Sequence, residues 1–149
     1  RRLFDRSGWS VKQTYFTILG KVFSLACLVL ITLTPLKINN SLFLFGLILY
    51  IVGIAGLITA MLNFKDTPPN QPVSKGVYKM SRHPQIVSLF VIFLGICLAI
   101  SSWAAFIALI LSKVFQHFGI LAEEEVCLKQ YGQSYRTYMK RIPRYFLFF

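Results

Sequence analysis

Two short polar segments hold most of the side chains in this protein that could do chemistry. The first is Arg82-His83-Pro84, and the second is Glu123-Glu124-Glu125, which contains three of the five acidic residues. Histidine titrates near neutral pH and is suited to general base work, whereas arginine and glutamate can bind a ligand that has charges of both signs. His117 precedes Glu124 by seven residues, so an unbroken helix would place them on one face. Arg82, His83 and His117 are therefore candidate catalytic residues, and Glu124 is a candidate binding residue.

The composition predicts a membrane protein. The 149 residues are 56% hydrophobic and 14% charged, and the mean hydropathy is +0.62. An average soluble domain has more charged and fewer apolar residues. A helical crossing needs about 20 apolar residues, so this length allows about four crossings and leaves no room for a separate soluble catalytic domain.

The net charge of +11 indicates contact with anionic lipid headgroups. The basic residues lie at the ends of apolar segments and form no recognition helix, which argues against a nucleic acid partner. Cys27, Cys97 and Cys127 are odd in number and lack the spacing of metal ligands. We therefore expect no disulfide framework and no metal site.

The apolar runs predict an all-α bundle that forms a single domain over residues 1–149. The second span has Gly46, Gly53 and Gly56, which favour close helix packing inside the bundle. The last two spans are expected to form a helical hairpin, followed by an amphipathic C-terminal helix and preceded by a loop that prolines separate from the second span. The predicted spans are residues 16–36, 42–64, 86–100 and 103–121, the loop is 65–85, and the C-terminal helix is 122–142.

Basic residues predict the orientation of the bundle. They cluster before the first span, in the loop and after the hairpin, whereas Lys37 alone marks the opposite side. The positive-inside rule then places the N-terminus, the loop and the C-terminus in the cytoplasm. Both polar segments would face that compartment.

The order of the motifs resembles a known family. Gly76-Val77-Tyr78 and Arg82-His83-Pro84 precede the hairpin, and Glu123-Glu124-Glu125 is followed by Tyr131-Gly132 and Tyr135. This arrangement is similar to the isoprenylcysteine carboxyl methyltransferase family over residues from about 42 to 145. Phospholipid N-methyltransferases share much of the same pattern.

The resemblance implies an integral membrane enzyme that uses S-adenosyl-L-methionine. Its cofactor pocket would lie between the loop before the hairpin and the helix after it, with Glu124 contacting the ammonium or the ribose hydroxyls. The residue types in the two segments agree with this, because the cofactor needs an acid, a hydrogen-bond donor and an apolar or aromatic slot. The positions that match the cofactor residues of the family are Val73, Tyr78, His83, Pro84, Gln85, Ile86 and Glu124.

The sequence does not identify the methyl acceptor. Ile120 stands where the resembled enzymes have an arginine associated with the substrate, and Ile86 stands where an aromatic residue commonly follows the His-Pro pair. We expect methyl transfer to a lipophilic small molecule, a lipid or a prenylcysteine-like acceptor. The alternatives are a phospholipid N-methyltransferase, a non-catalytic membrane scaffold or binding protein with the same fold, and a nicotinamide-dependent reductase of similar membrane architecture.

Structural roles would also account for individual residues. The glutamate run could supply favourable negative charge at a helix N-terminus. Arg82 and His83 could anchor the chain at headgroups, and His117 could be an interfacial histidine. The stripe formed by Tyr131, Tyr135 and Tyr138 is expected to be packing.

Overall fold

The computed structural model describes residues 10–38, 41–67 and 72–145. This part of the chain contains four α-helices and one 3-10 helix, and no strand, which confirms the all-α prediction. Three of the helices are long and apolar enough to cross a membrane, and the fourth is a shorter apolar helix of 16 residues. The helices are α1 (Val11–Leu33), α2 (Ser41–Lys65), α3 (Pro84–Ala99) and α4 (Trp103–Arg141), and the 3-10 helix is Gly76–Lys79.

The helix starts follow local chemistry. Ser10 caps α1 with a capping box, since its hydroxyl accepts from the Gln13 backbone N–H and the Gln13 side chain accepts from the Ser10 N–H. The helix therefore begins at Val11, five residues before the predicted span. Pro84 occupies the first turn of α3, where its missing N–H costs no hydrogen bond.

The four helices pack mainly as two pairs. The α2 and α3 helices contact each other extensively, as do α1 and α4, whereas α3 and α4 touch much less. In the second pair Phe16 stacks on Phe118 with ring centroids 4.4 Å apart. This pairing leaves a groove between α3 and α4, on the side of the molecule where the polar segments meet.

Glycines let α2 and α3 approach each other closely. A Cβ on Gly46 would collide with the carbonyl oxygen of Gly95 and would lie 2.8 Å from the backbone nitrogen of Ala99. A Cβ on Gly53 would lie 2.8 Å from the backbone nitrogen of Ile92. Packing inside the bundle is therefore confirmed as the role of these glycines.

The α4 helix corrects two expectations. It runs without a break from the predicted fourth span into the predicted C-terminal helix, and the interruption lies at Gly132, with φ 54° and ψ −124°. The glutamate run lies in the interior of α4, about 20 residues after Trp103, so the helix N-terminus interpretation is wrong. The helix passes through Gly119, which places His117 and Glu124 on one continuous segment.

The connection between α2 and α3 is a structured loop in its described parts, residues 66–67 and 72–83. Residues 68–71, including Pro68 and Pro69, lie outside the described residues. Gly76 has φ +54° and lies against the Asn63 amide, which leaves no space for a Cβ. The backbone N–H of Arg82 donates to the carbonyl of Pro143 at 3.0 Å, so the loop is joined to the segment that follows α4.

Candidate functional site

Glu124 is the centre of a buried ion cluster that joins both polar segments. Only 3% of its surface is exposed. Its Oε1 lies 3.1 Å from Arg82 Nη1 and 3.2 Å from His83 Nε2. The structure thus brings Arg82, His83 and Glu124 together, although 41 residues separate the histidine from the glutamate.

A third cation in the cluster was missed by the sequence reasoning. Arg144 contacts both oxygens of the carboxylate, because its Nη2 donates to Glu124 Oε2 at 2.8 Å and its Nε donates to Glu124 Oε1 at 3.1 Å. Such fork-like contacts are the strongest arginine–carboxylate hydrogen bonds. From the sequence, Arg144 is one more basic residue near the end of the chain, and its position beside Pro143 gives no signal of this contact.

Backbone contacts hold the cluster in place. Ser81 is fully buried, and its hydroxyl donates to the carbonyl oxygen of Arg144 at 3.0 Å while it accepts from the His83 backbone N–H at 3.2 Å. Together with the Arg82 N–H bond to Pro143, this fixes the C-terminal segment against the loop. The start of α3 orients His83, since Pro84 follows it as the first residue of that helix.

The three glutamates lie in different environments. Burial alone raises the pKa of the Glu124 carboxyl, but hydrogen bonds from His83 and Arg144 and nearby positive charge lower it to about 2. Glu123 is half-buried, and burial raises its pKa above the usual value. Glu125 is exposed and accepts from the Gln13 side chain at 3.3 Å. Glu124 is therefore the glutamate that is held ionised in a buried site.

Arg82 has hydrogen-bonding capacity to spare. Its guanidinium is 5% exposed, and its buried Nε has no hydrogen-bond acceptor among the described residues, whereas its Nη1 lies 3.1 Å from Glu124 Oε1. Buried donors without acceptors cost free energy, and they often indicate a site that a ligand completes. A carboxylate with two oxygens suits them. A buried acid beside a buried unsatisfied donor is an arrangement that can bind a ligand with charges of both signs.

The other residues predicted to bind the cofactor lie in the loop before Arg82 and in the first turn of α3. Tyr78 is buried, its carbonyl accepts from the Tyr138 hydroxyl at 2.8 Å, and burial raises the pKa of its own phenol to about 12 against the effect of a Gln85 hydrogen bond. Pro84 is buried and Val73 is half-buried. The tyrosine stripe on α4 packs as expected, with Tyr135 and Tyr138 ring centroids 5.9 Å apart. The roles of all these residues in a cofactor site stay predictions.

The groove between α3 and α4 has a volume of about 610 Å³ and mostly apolar walls. It reaches the region of the cluster, since Ile86 and Tyr145 both line it. His117 also lines it and its Nδ1 lies 2.9 Å from the Tyr145 hydroxyl. Its lining residues are Ile86, Val87, Phe90, Lys113, Val114, Gln116, His117, Phe118, Ile120 and Tyr145.

The two candidate histidines occupy different places. His83 Nε2 is in hydrogen-bonding distance of Glu124, whereas the bond of His117 goes to Tyr145 in the groove. Ile86, predicted to line a cofactor, faces the groove as well, and so does Ile120, the position without the arginine of the resembled enzymes. The site thus has a charged end at Glu124 and an apolar end between α3 and α4.

Comparison with known proteins gives one family. The family model for phospholipid methyltransferase matches residues 36–134, which is more than half of the chain and includes Arg82, His83 and Glu124. Arg144 lies beyond the match. No curated protein and no solved structure matches the chain. With its membrane-length helices, the two polar motifs joined at Glu124 and this match, the chain belongs to the phospholipid methyltransferase family.

Proposed function

We propose that this protein transfers the methyl group of S-adenosyl-L-methionine to the amine of a membrane phospholipid. The observation that supports this best is the junction of two unlike environments. A buried carboxylate among cations lies at one end of the site, and an apolar groove of about 610 Å³ lies at the other. A polar cofactor and a lipid acceptor require such a pair of neighbouring sites.

The charged end suits the amino acid part of the cofactor. Glu124 would accept hydrogen bonds from the ammonium of the cofactor, and Arg82 would donate from its unsatisfied Nε to the cofactor carboxylate. The hydrogen bonds from Arg144 occupy both oxygens of the Glu124 carboxylate, so the ammonium would share them with Arg144 or displace it. Bound there, the cofactor supplies a methyl group on a sulfonium, which is an electrophile that needs no covalent enzyme intermediate.

The protein's own contribution would be positioning, exclusion of water and removal of a proton. The apolar walls near Ile86 and Ile120 keep water away from a reaction in which positive charge leaves sulfur. A phospholipid amine is protonated near neutral pH and must lose that proton before its lone pair can attack the methyl carbon. A general base is therefore expected in the groove.

His117 is better placed than His83 for this proton transfer. His83 Nε2 is engaged by Glu124, which favours an orienting role in the cofactor site. When Nδ1–H of His117 donates to the Tyr145 hydroxyl, Nε2 keeps its lone pair and can accept the proton. Tyr145 then acts as a positioning residue that sets the tautomer.

The prenylcysteine-like acceptor is less well supported. Ile120 is 3% exposed and lines the groove at the position where the resembled enzymes have an arginine. No cation at that position is available to bind a prenylcysteine carboxylate. A cytoplasmic position of the charged end, as the basic residues predict, would allow the cofactor to enter from the cytoplasm and the lipid from the bilayer.

The test is methyl transfer in a defined membrane. The protein is reconstituted into vesicles that contain phosphatidylethanolamine, supplied with methyl-labelled S-adenosylmethionine, and the lipids are separated and identified by mass. Label in mono-, di- or trimethylated ethanolamine headgroups is the expected result. A protein that binds the cofactor but labels no lipid would contradict the proposal and support the scaffold alternative.

A further inference from the structure

Lys113 lies in an unusual place for a cation. It is half-buried on the apolar first half of α4, lines the groove between α3 and α4, and donates from Nζ to Gln116 Oε1 at 3.0 Å. A lysine at this depth is costly in a membrane, and ionisable groups there usually have a functional reason. Its position facing a cavity, and not the lipid, agrees with that reading.

The groove gives this lysine no negative partner. None of the described residues that line the groove is acidic, and each ion pair found in the described part of the chain involves Glu124. The amide oxygen of Gln116 is neutral and compensates a positive charge incompletely. An anion brought by a ligand would complete the site, and the groove is where the acceptor is proposed to bind.

The order of groups along α4 matches the order of groups in a phospholipid. Lys113 precedes His117 by four residues, which is about one helical turn of 5.4 Å. Of the α4 residues that line the groove, Lys113 lies furthest from Glu124 and His117 lies one turn nearer to it. In a phosphatidylethanolamine the phosphate likewise comes before the amine, counted from the acyl chains.

We propose that Lys113 and Gln116 form a binding subsite for the phosphate of the phospholipid acceptor. Held there, the phosphate would place the headgroup amine one turn further along α4, beside His117. The inference rests on the proposed function, because it assigns a recognition residue to the acceptor of that reaction. Lys113 is a specificity residue in this scheme and takes no part in bond making.

The catalytic arm compares acceptors with and without a phosphate. Lys113→Met should raise KM for phosphatidylethanolamine by about tenfold, the value of one lost hydrogen bond to a charged group. It should leave KM for a long-chain alkylamine, which has no phosphate, and the affinity for S-adenosylmethionine unchanged. Lys113→Arg keeps the charge and should restore most of the loss. Lys21→Met is the matched control, because Lys21 is also in a spanning helix but is exposed.

A binding arm does not depend on catalysis. Purified protein in detergent is mixed with phosphatidylethanolamine or with diacylglycerol of the same acyl chains, and retained lipid is counted by native mass spectrometry. Wild type and Lys21→Met should retain the phosphate-bearing lipid in preference, and Lys113→Met should lose that preference.

The two arms separate the failure of this inference from the failure of the proposed function. If Lys113→Met has the same KM as the wild type for each acceptor and keeps the lipid preference, the phosphate subsite is overturned while the proposed methyl transfer stands. A Lys113→Met protein that no longer binds S-adenosylmethionine would indicate a structural role and would also overturn it. Absence of transfer in wild type with a Lys113-dependent lipid preference would contradict the proposed reaction and support the subsite.

Discussion

Replacing Glu124 by glutamine tests the centre of the site. The change keeps the size and shape of the side chain and removes the negative charge that two arginines and a histidine approach within 3.2 Å. Arg82 and Arg144 would then face each other across a neutral amide in a buried site. Both folding stability and cofactor affinity should fall.

The size of the loss follows from the burial of the cluster. Removing one partner of a buried ion pair costs about 3–5 kcal/mol, and the partial exposure of Arg144 places this case near the lower value. For a chain of this length a loss of about 3 kcal/mol lowers the unfolding temperature by about 6–12 °C. Loss of a charge-assisted hydrogen bond to the cofactor ammonium weakens binding by about 10- to 100-fold.

The assay measures the unfolding temperature and S-adenosylmethionine affinity of purified protein in the same detergent. Glu125→Gln is the matched control, because this neighbouring glutamate is exposed and its recorded bond is one contact from Gln13. The control should leave both quantities unchanged. Equal effects of the two substitutions, or unchanged cofactor affinity in Glu124→Gln, would refute the assignment of Glu124 to the cofactor site.

Three further predictions concern stability. The pKa of Glu124 is lowered from 4.5 to about 2, so the ionised carboxylate stabilises the fold fully above pH 4.5, and this contribution is lost as the pH falls through about 2. Between these pH values the unfolding temperature of the wild type should fall as the pH is lowered, and that of Glu124→Gln should fall less. In a double-mutant cycle of Glu124→Gln with Arg144→Gln, chemical unfolding should give a coupling energy of about 1–3 kcal/mol, and additive losses would contradict the paired geometry. Gly46→Ala would place a Cβ against the backbone of α3 and should lower the free energy of unfolding by about 1–3 kcal/mol, measured by thermal unfolding. Gly56→Ala should cost less, because its Cβ would meet the movable Ser88 hydroxyl. The reverse order would argue against the helix contact.

The part of the site that could be predicted is the part that has a motif. Arg82, His83 and Glu124 stand out because polar residues interrupt or end long apolar runs, where charges are costly. Arg144 had no such signal, because a basic residue that follows an apolar span is expected at the headgroup region in any case. Lys113 does interrupt an apolar run, but a single lysine hardly changes the average hydropathy of its window, so it was overlooked.

Some helix boundaries could be predicted from the sequence and one could not. The apolar runs located α2 within a residue or so and α3 within two, because hydrophobic length reports a span directly. They did not show that α4 continues beyond its apolar half, since a change from apolar to charged composition looks like a boundary although helical hydrogen bonds continue through it. Gly132, with its positive φ, is where the regular backbone is interrupted.

The sequence by itself determined that this is an all-helical membrane protein with two polar motifs, because burial in lipid imposes composition and helix length on every spanning segment. Tertiary structure decided which groups meet. The pairing of α1 with α4 and of α2 with α3 opens the groove, and the return of the segment after α4 brings Arg144 onto Glu124. Contacts between residues far apart in the chain depend on how whole helices pack, and a periodic pattern along one helix does not encode its partner.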